Sequence, residues 1–373
     1  MQPKIAFIKL GSFSHINDSV LDILRSQFPN VQIDVIDIWD DITSKTDPVN
    51  MLMTVKDYGG DLLAGKKKLK KSVTRTPYLF HKVRKGIRKK LEGKNYLFTF
   101  QTQSLFDCSI PGTPHFLYTD HTHLVNLTYP GFTEKDLFSS EWRELEKEVY
   151  QNATINFTMS THIQRSMIEQ YDCKPEQVAC VFAGNNVMPE GDKPTNPAQY
   201  RSKDILFVGV DWERKGGPAL AKAFEKVVQA HPDAKLTVVG TSPELDHPNV
   251  NIVGRIPKTE VGSYYEKAAI FCLPTTLEPF GIVFCEALSY KLPIVATNIA
   301  AIPDFVSEGD NGFMVDVNDA DTLADRLIYL LNDASICQEF GERGFELGKE
   351  RYTWQNTGIR IRRHIEEALG VLS

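Results

Sequence analysis

The sequence predicts two α/β domains in tandem, each a parallel sheet covered by helices on both faces, on three observations. Short, near-continuous apolar runs recur from end to end, longer amphipathic stretches separate them, and one Pro-rich polar segment interrupts the series mid-chain. Strands buried on both faces read as unbroken apolar runs, and alternation with helices is the pattern of a parallel sheet. A chain of 373 residues also exceeds what one core usually supports.

The first series runs Lys4–Leu10, Val31–Ile38, Tyr96–Gln101, His115–Thr119, Thr154–Met159 and Val178–Phe182. The second runs Ile205–Val210, Leu236–Val239, Val250–Ile256, Ile270–Pro274, Ile294–Thr297 and Gly312–Val315. Between them, residues 189–197 hold three prolines among polar residues, which cannot continue a strand or helix and read as a hinge linker. The expected organisation is a Rossmann-like domain over 1–188, a linker over 189–203, a second Rossmann-like domain over 204–354 and a terminal helix over 355–373.

Composition is that of an ordinary globular protein, 42% apolar and 24% charged. The six cysteines are scattered without a C-x-x-C pair, several inside apolar runs, and read as reduced and structural. The N-terminus enters a strand directly, and no apolar stretch approaches the ~20 residues of a membrane helix. A cytoplasmic location follows as the expectation, and the Asn126-Leu127-Thr128 sequon then counts as chance.

Doubly wound sheets bind ligands where strand carboxyl ends lead into helices. The first domain has Gly11-Ser12-Phe13-Ser14 there, and the second has Gly209 to Gly217 followed by Pro218, suited to a first helical turn. Neither is G-x-G-x-x-G with a following strand-end acid, so nicotinamide binding is disfavoured.

Three segments carry chemistry. In Ile270–Glu286, a buried strand leads to Glu278 in a Pro-Gly loop with Phe280, Gly281 and Ile282, and then to a helix bearing Glu286. In Phe207–Gly217, Arg214 and Lys215 precede a helix N-terminus, where cations and helix amides together would hold a phosphate. In Phe116–His123, a strand ends in Asp120-His121-Thr122-His123. His115, His121, His123 and Asp120 look superficially like a metal cluster, but successive strand positions face alternate sides.

The Glu278 to Glu286 segment resembles the E-x7-E region of retaining family-four glycosyltransferases of GT-B fold. The resemblance covers most of the chain, strongest over 203–354. It implies two Rossmann-like domains facing a central cleft, an N-terminal acceptor domain, a C-terminal nucleotide-sugar domain and a terminal helix, after Tyr352-Thr353-Trp354, that returns to the first domain. It implies retaining transfer of a sugar, UDP-sugar favoured, to an acceptor hydroxyl of a lipid or cell-envelope glycan, with no metal or other cofactor. His121, Glu278, Lys215 and Arg214 would be catalytic, Glu278 holding sugar hydroxyls and His121 orienting the sugar. Gly11, Gly209, Arg255, Ile256, Phe280, Gly281, Ile282 and Glu286 would bind the donor, Glu286 at the ribose and the backbone of Arg255 and Ile256 at the base. Val210 stands where the family commonly has an arginine, so Arg214 is expected to supply that charge. A nucleotide-sugar epimerase and a non-catalytic nucleotide-binding module are the alternatives.

Residues 65–94 hold thirteen Lys or Arg against one Glu in a chain of net charge −6. Leu79, Val83, Ile87 and Leu91 at i, i+4 spacing give a basic helix with one apolar stripe, for which two readings stand: peripheral attachment to an anionic membrane surface, or packing on the domain. Nucleic acid is disfavoured, since the patch is local and lacks interleaved aromatics.

Overall fold

A computed structural model describes residues 2–12, 16–44, 47–187, 189 and 196–371. The chain forms two compact units, Met1–Phe182 with Thr357–Ser373, and Ala183–Asn356. Each holds one six-stranded sheet in which every pairing is parallel.

In the first unit the strands are β1 (Lys4–Lys9), β2 (Gln32–Asp37), β3 (Thr99–Thr102), β4 (His115–Thr119), β5 (Ile155–Thr158) and β6 (Val178–Cys180), in the order β2-β1-β3-β4-β5-β6. In the second they are β7 (Asp204–Val208), β8 (Lys235–Val239), β9 (Val250–Gly254), β10 (Ile270–Leu273), β11 (Ile294–Thr297) and β12 (Gly312–Val315), in the order β12-β11-β10-β7-β8-β9. Both orders reverse direction once, between β1 and β3 and between β7 and β10. In such sheets ligands enter the crevice outside the strand carboxyl ends at this switch point.

The apolar runs fold as parallel strands because helices cover both sides of them. β3, β4 and β5 are buried at every residue, as are β10 and β11. Phe100 and Phe116 both stack on Phe157, tying β3, β4 and β5 together. All six cysteines are unpaired, and five are buried. Among the described residues no helix is long and apolar enough to cross a membrane.

The expected linker over 189–203 falls partly on residues 188 and 190–195, outside the described residues. Its second half differs from expectation: Pro197–Arg201 is a short helix capped by the Asn196 side chain. Proline is tolerated at the first helical turn, where its missing N–H has no partner to lose. Tyr200 and Gln199 are buried there, bonded to the carbonyls of Lys291 and Tyr265.

The basic helix forms over Pro77–Leu91, capped by Thr76. Its stripe of Leu79, Val83, Ile87 and Leu91 is fully buried, so this stripe packs on the domain and meets no membrane. The terminal helix Trp354–Leu369 packs its residues from Thr357 onward within the first unit. There Gly358 lies against Ile23 and Gln27, and Ile361 and Ile365 are buried.

Candidate active site

The loops after β7 and β10 lie side by side at the switch point of the second sheet, and hydrogen bonds stitch them together. The Arg214 carbonyl accepts from the Thr276 amide (2.9 Å) and from the Thr275 and Thr276 hydroxyls, while the Arg214 guanidinium donates to the Leu277 carbonyl at 2.7 Å. Lys215 and Glu278 then meet as a buried ion pair, Nζ on Oε2. A buried pair of this kind costs desolvation, and losing one partner leaves an uncompensated charge. The pair therefore holds a fixed positive and a fixed negative group at one point of the crevice.

Two glycines make the approach possible. Gly216 has φ +76°, and a Cβ there would lie 1.8 Å from the Pro274 carbonyl oxygen. Gly281 has φ +96° and caps the helix Ile282–Ser289. Both positions are in the left-handed region, which residues with a Cβ enter only at a cost. The helix Gly217–Ala230 starts without a side-chain cap, the Gly217 amide donating to the Trp212 carbonyl at 2.8 Å and Pro218 having no N–H, so what this end offers an anion is the positive end of the helix dipole and the Ala219 amide.

Glu286 sits one turn into the helix Ile282–Ser289, is buried, and accepts a hydrogen bond from the Tyr265 hydroxyl at 3.0 Å. Burial pushes its carboxyl up to about 7, against the opposing effects of Tyr265 and the Lys258 charge. Tyr265 gave no signal in the sequence. It ends the helix Lys258–Tyr265, and only the fold brings it to Glu286.

The other expected donor residues are placed as follows. Gly209 follows β7 and donates its amide to Val239 at 2.9 Å. Arg255 is exposed and Ile256 half-buried just beyond β9, at the edge of the same sheet. Ile282 is half-buried at the start of its helix. Phe280 is turned inward, its ring packed on Phe305 (5.3 Å) and Tyr352, so only its backbone faces the loop. Arg214 is a loop brace as well as a charge, also bonded to Asp211.

In the first unit, Gly11 lies two residues beyond β1 and donates its amide to Asp37 at 3.2 Å, with Phe13 and Ser14 of its loop outside the described residues. His121 follows β4. Asn126 donates its amide to the His123 carbonyl at 2.8 Å, which fixes the orientation of that side chain, and its nitrogen lies 3.1 Å from His121 Nε2. Nε2 is then the acceptor and the proton sits on Nδ1, which is buried and bonds to no protein group. Burial, with the Arg75 and Lys71 charges beside it, pulls His121 down to about 4, so the ring is neutral near pH 7 and offers one N–H. Asn126, overlooked in the sequence, orients the ring.

The neighbouring histidines belong to the core. His115 bonds Thr99 at 2.7 Å, and His123 accepts from the Phe138 amide at 2.9 Å against Trp142. Among the described residues no three His, Cys, Asp or Glu groups come together to hold a metal.

Residues 190–347 match the family model for glycosyl transferases group 1. This segment, less than half of the chain, is similar to glycosyl transferases of group 1. The group 1 segment contains Arg214, Lys215, Glu278 and Glu286. The chain is 26% identical over 282 residues to a D-inositol 3-phosphate glycosyltransferase of Corynebacterium aurimucosum, covering 68% of this chain and 66% of that one. It is 30% identical over 206 residues to an uncharacterized glycosyltransferase of Haemophilus influenzae, covering 51% and 56%. The match thus spans 66% and 56% of the length of these two relatives, less than two thirds of either. Among solved structures, a sucrose-phosphate synthase of Thermosynechococcus elongatus superposes with TM-score 0.69 at 16% identity over 99% of this chain and 100% of that one. WaaG, a glycosyltransferase involved in lipopolysaccharide biosynthesis, superposes with TM-score 0.65 at 14% identity over 97% and 99%. The fold is the GT-B fold.

Proposed function

We propose that the protein is a retaining glycosyltransferase that moves a hexosyl group from a nucleoside diphosphate sugar, UDP-sugar favoured, to a hydroxyl of a lipid or cell-envelope glycan. The observation that carries this reading is the buried Lys215–Glu278 pair at the β7/β10 switch point, beside an uncapped helix N-terminus in the group 1 segment. UDP is favoured because one similar structure, Alr3699/HepE of Anabaena, holds UDP and glucose.

In this reading the diphosphate lies at the positive end of the helix Gly217–Ala230 with Lys215 and Arg214, and Glu278 accepts hydrogen bonds from sugar hydroxyls. The bond from the anomeric carbon to the diphosphate oxygen breaks with its electron pair going to the diphosphate. The acceptor oxygen attacks the same face, and its proton passes to the departing phosphate. Cationic side chains and helix amides act most strongly where that charge develops. They take the part a metal would otherwise play, and transfer unaffected by EDTA is the expected result. Glu286 grips the ribose, and the neutral His121 ring orients the sugar. Residues 1–188 take the acceptor.

The test is diphosphate release from a panel of nucleotide sugars, with acceptors that include D-inositol 3-phosphate, for which the corynebacterial relatives are named. Acceptor-dependent UDP release that falls by roughly 10²- to 10³-fold in Glu278→Gln or Lys215→Ala supports the assignment. Full activity in either variant would remove it, and epimerised donor with no acceptor dependence would replace transfer by isomerisation.

A further inference from the structure

The helix Pro48–Leu63 is inverted relative to an ordinary surface helix. Its inward side is polar: Asn50 and Thr54 are buried, with Asn50 donating to the Val73 carbonyl at 2.8 Å and accepting from Thr76, and Thr54 bonding the Asn50 carbonyl at 2.8 Å. Tyr58 anchors the same side, its hydroxyl on the Arg75 carbonyl and its ring packed with Phe138 and Trp142. Asp61 pairs with Lys67 near the helix end. The outward side carries the apolar residues. Leu52, Val55 and Leu63 are 72%, 62% and 93% exposed, and Val49 is nearly half exposed beside them. At 100° per residue, Val49, Leu52, Val55, Lys56, Gly59, Gly60 and Leu63 fall on one face, and Lys56 is its only charge.

Among the described residues, six of the twelve large apolar side chains that stand exposed lie between Val49 and Leu69, a stretch of 21 residues. Isolated exposed apolar residues need no explanation, but a contiguous face rimmed by charge marks an interaction surface. The rim is basic. Lys66, Lys68 and Lys70 follow the helix directly, all exposed, around the half-exposed Leu69.

We propose that the outward face of Pro48–Leu63 is the surface by which the protein lies on an anionic lipid bilayer, Leu52, Val55 and Leu63 entering the headgroup boundary and Lys56, Lys66, Lys68 and Lys70 meeting lipid phosphates. Apolar burial and attraction to anionic lipid act together in such a helix. Charge selects this occupant: a second copy of the chain docked on the same face would set Lys56 and the lysine rim against their own like charges. The inference deepens the proposed membrane-associated acceptor while moving the contact from the basic helix Pro77–Leu91, whose apolar stripe is buried, to the helix before it.

The test is co-sedimentation of the full chain with phosphatidylcholine vesicles with and without phosphatidylglycerol, needing no donor or acceptor, so its outcome is independent of the sugar-transfer reading. Binding is expected on the phosphatidylglycerol vesicles, weakened by high salt and reduced at least about tenfold in the triple variant Leu52→Ser/Val55→Ser/Leu63→Ser. Hydrogen exchange of the unaltered protein gives a readout free of any folding defect in that variant, with vesicle-dependent protection expected over 48–70. No binding, binding that the triple variant retains, or protection elsewhere in the chain would overturn the proposal. So would a concentration-dependent dimer abolished by the same three substitutions.

Discussion

At the scale of single residues, Glu286 is the group whose chemistry depends most on its surroundings. Its carboxyl sits at about 7 because burial disfavours the charged form more than Tyr265 and Lys258 favour it. Only the carboxylate accepts two hydrogen bonds from a ribose diol, so donor KM should rise as pH falls through 7, with kcat changing less. Removing the hydroxyl in Tyr265→Phe takes away a bond that favours the charged form. The inflection in the donor KM profile should then move to higher pH, a shift that steady-state kinetics would read directly. A Tyr265→Phe profile that overlays the wild type would show that this hydroxyl does not tune Glu286. Glu146, buried and also raised to about 7, offers a stability counterpart, accepting from Tyr171 and Tyr150. Its folded pKa exceeds its unfolded one, so its contribution is full below about 4.5 and is lost as pH rises through 7. The Tm of the wild type minus that of Glu146→Gln should fall steadily between those limits.

At the scale of elements, the site depends on two loops held in register by backbone. Gly216→Ala would force a left-handed residue and drive its Cβ into the Pro274 carbonyl, separating the loops that carry Lys215 and Glu278. The expected cost is at least about 2 kcal/mol in stability, with UDP affinity lost as well, measured by denaturant unfolding and calorimetric titration. Retained affinity would mean that the loops adjust independently. The sequence displayed the strands well: all twelve apolar runs became strands, because a parallel sheet buried on both faces leaves no alternation to misread. It displayed Lys215 and Glu278 as motifs but not as partners, since their meeting depends on β7 and β10 being neighbours at the point where strand order reverses. Tyr265 and Asn126 were illegible for the same reason, each being an ordinary polar residue until the fold sets it beside a carboxylate or an imidazole. The basic helix misled in part, because an i, i+4 stripe looks the same whether a domain or a membrane covers it.

At the scale of the whole molecule, the two units are separate compact bodies with separate cores, and ligand binding should stabilise them unequally. UDP at about 100 times its Kd stabilises the state that binds it by about 2.7 kcal/mol. Calorimetry should therefore show the transition of residues 183–356 moving up with UDP, while that of the first unit moves only as far as the two are coupled. Equal shifts in both would show a single cooperative unit. The inverted face of Pro48–Leu63 belongs to the first unit, so vesicle binding should survive Gly216→Ala even where UDP binding does not.

The return of the helix Trp354–Leu369 to the first unit also governs how the protein is born. Ile361 and Ile365 fill that unit's core, and Arg362 bonds the Gln27 carbonyl at 3.1 Å, yet they are synthesised long after Phe182. At roughly 5–20 residues per second, the first unit waits on the order of 10–40 s on the ribosome for its last helix. The second unit, continuous in sequence, is complete first. The order of folding therefore runs against the order of translation, and a fragment ending at Phe182 should emerge with the face around Ile23 and Gln27, which Gly358 covers in the whole chain, left open and with a corresponding need for chaperones.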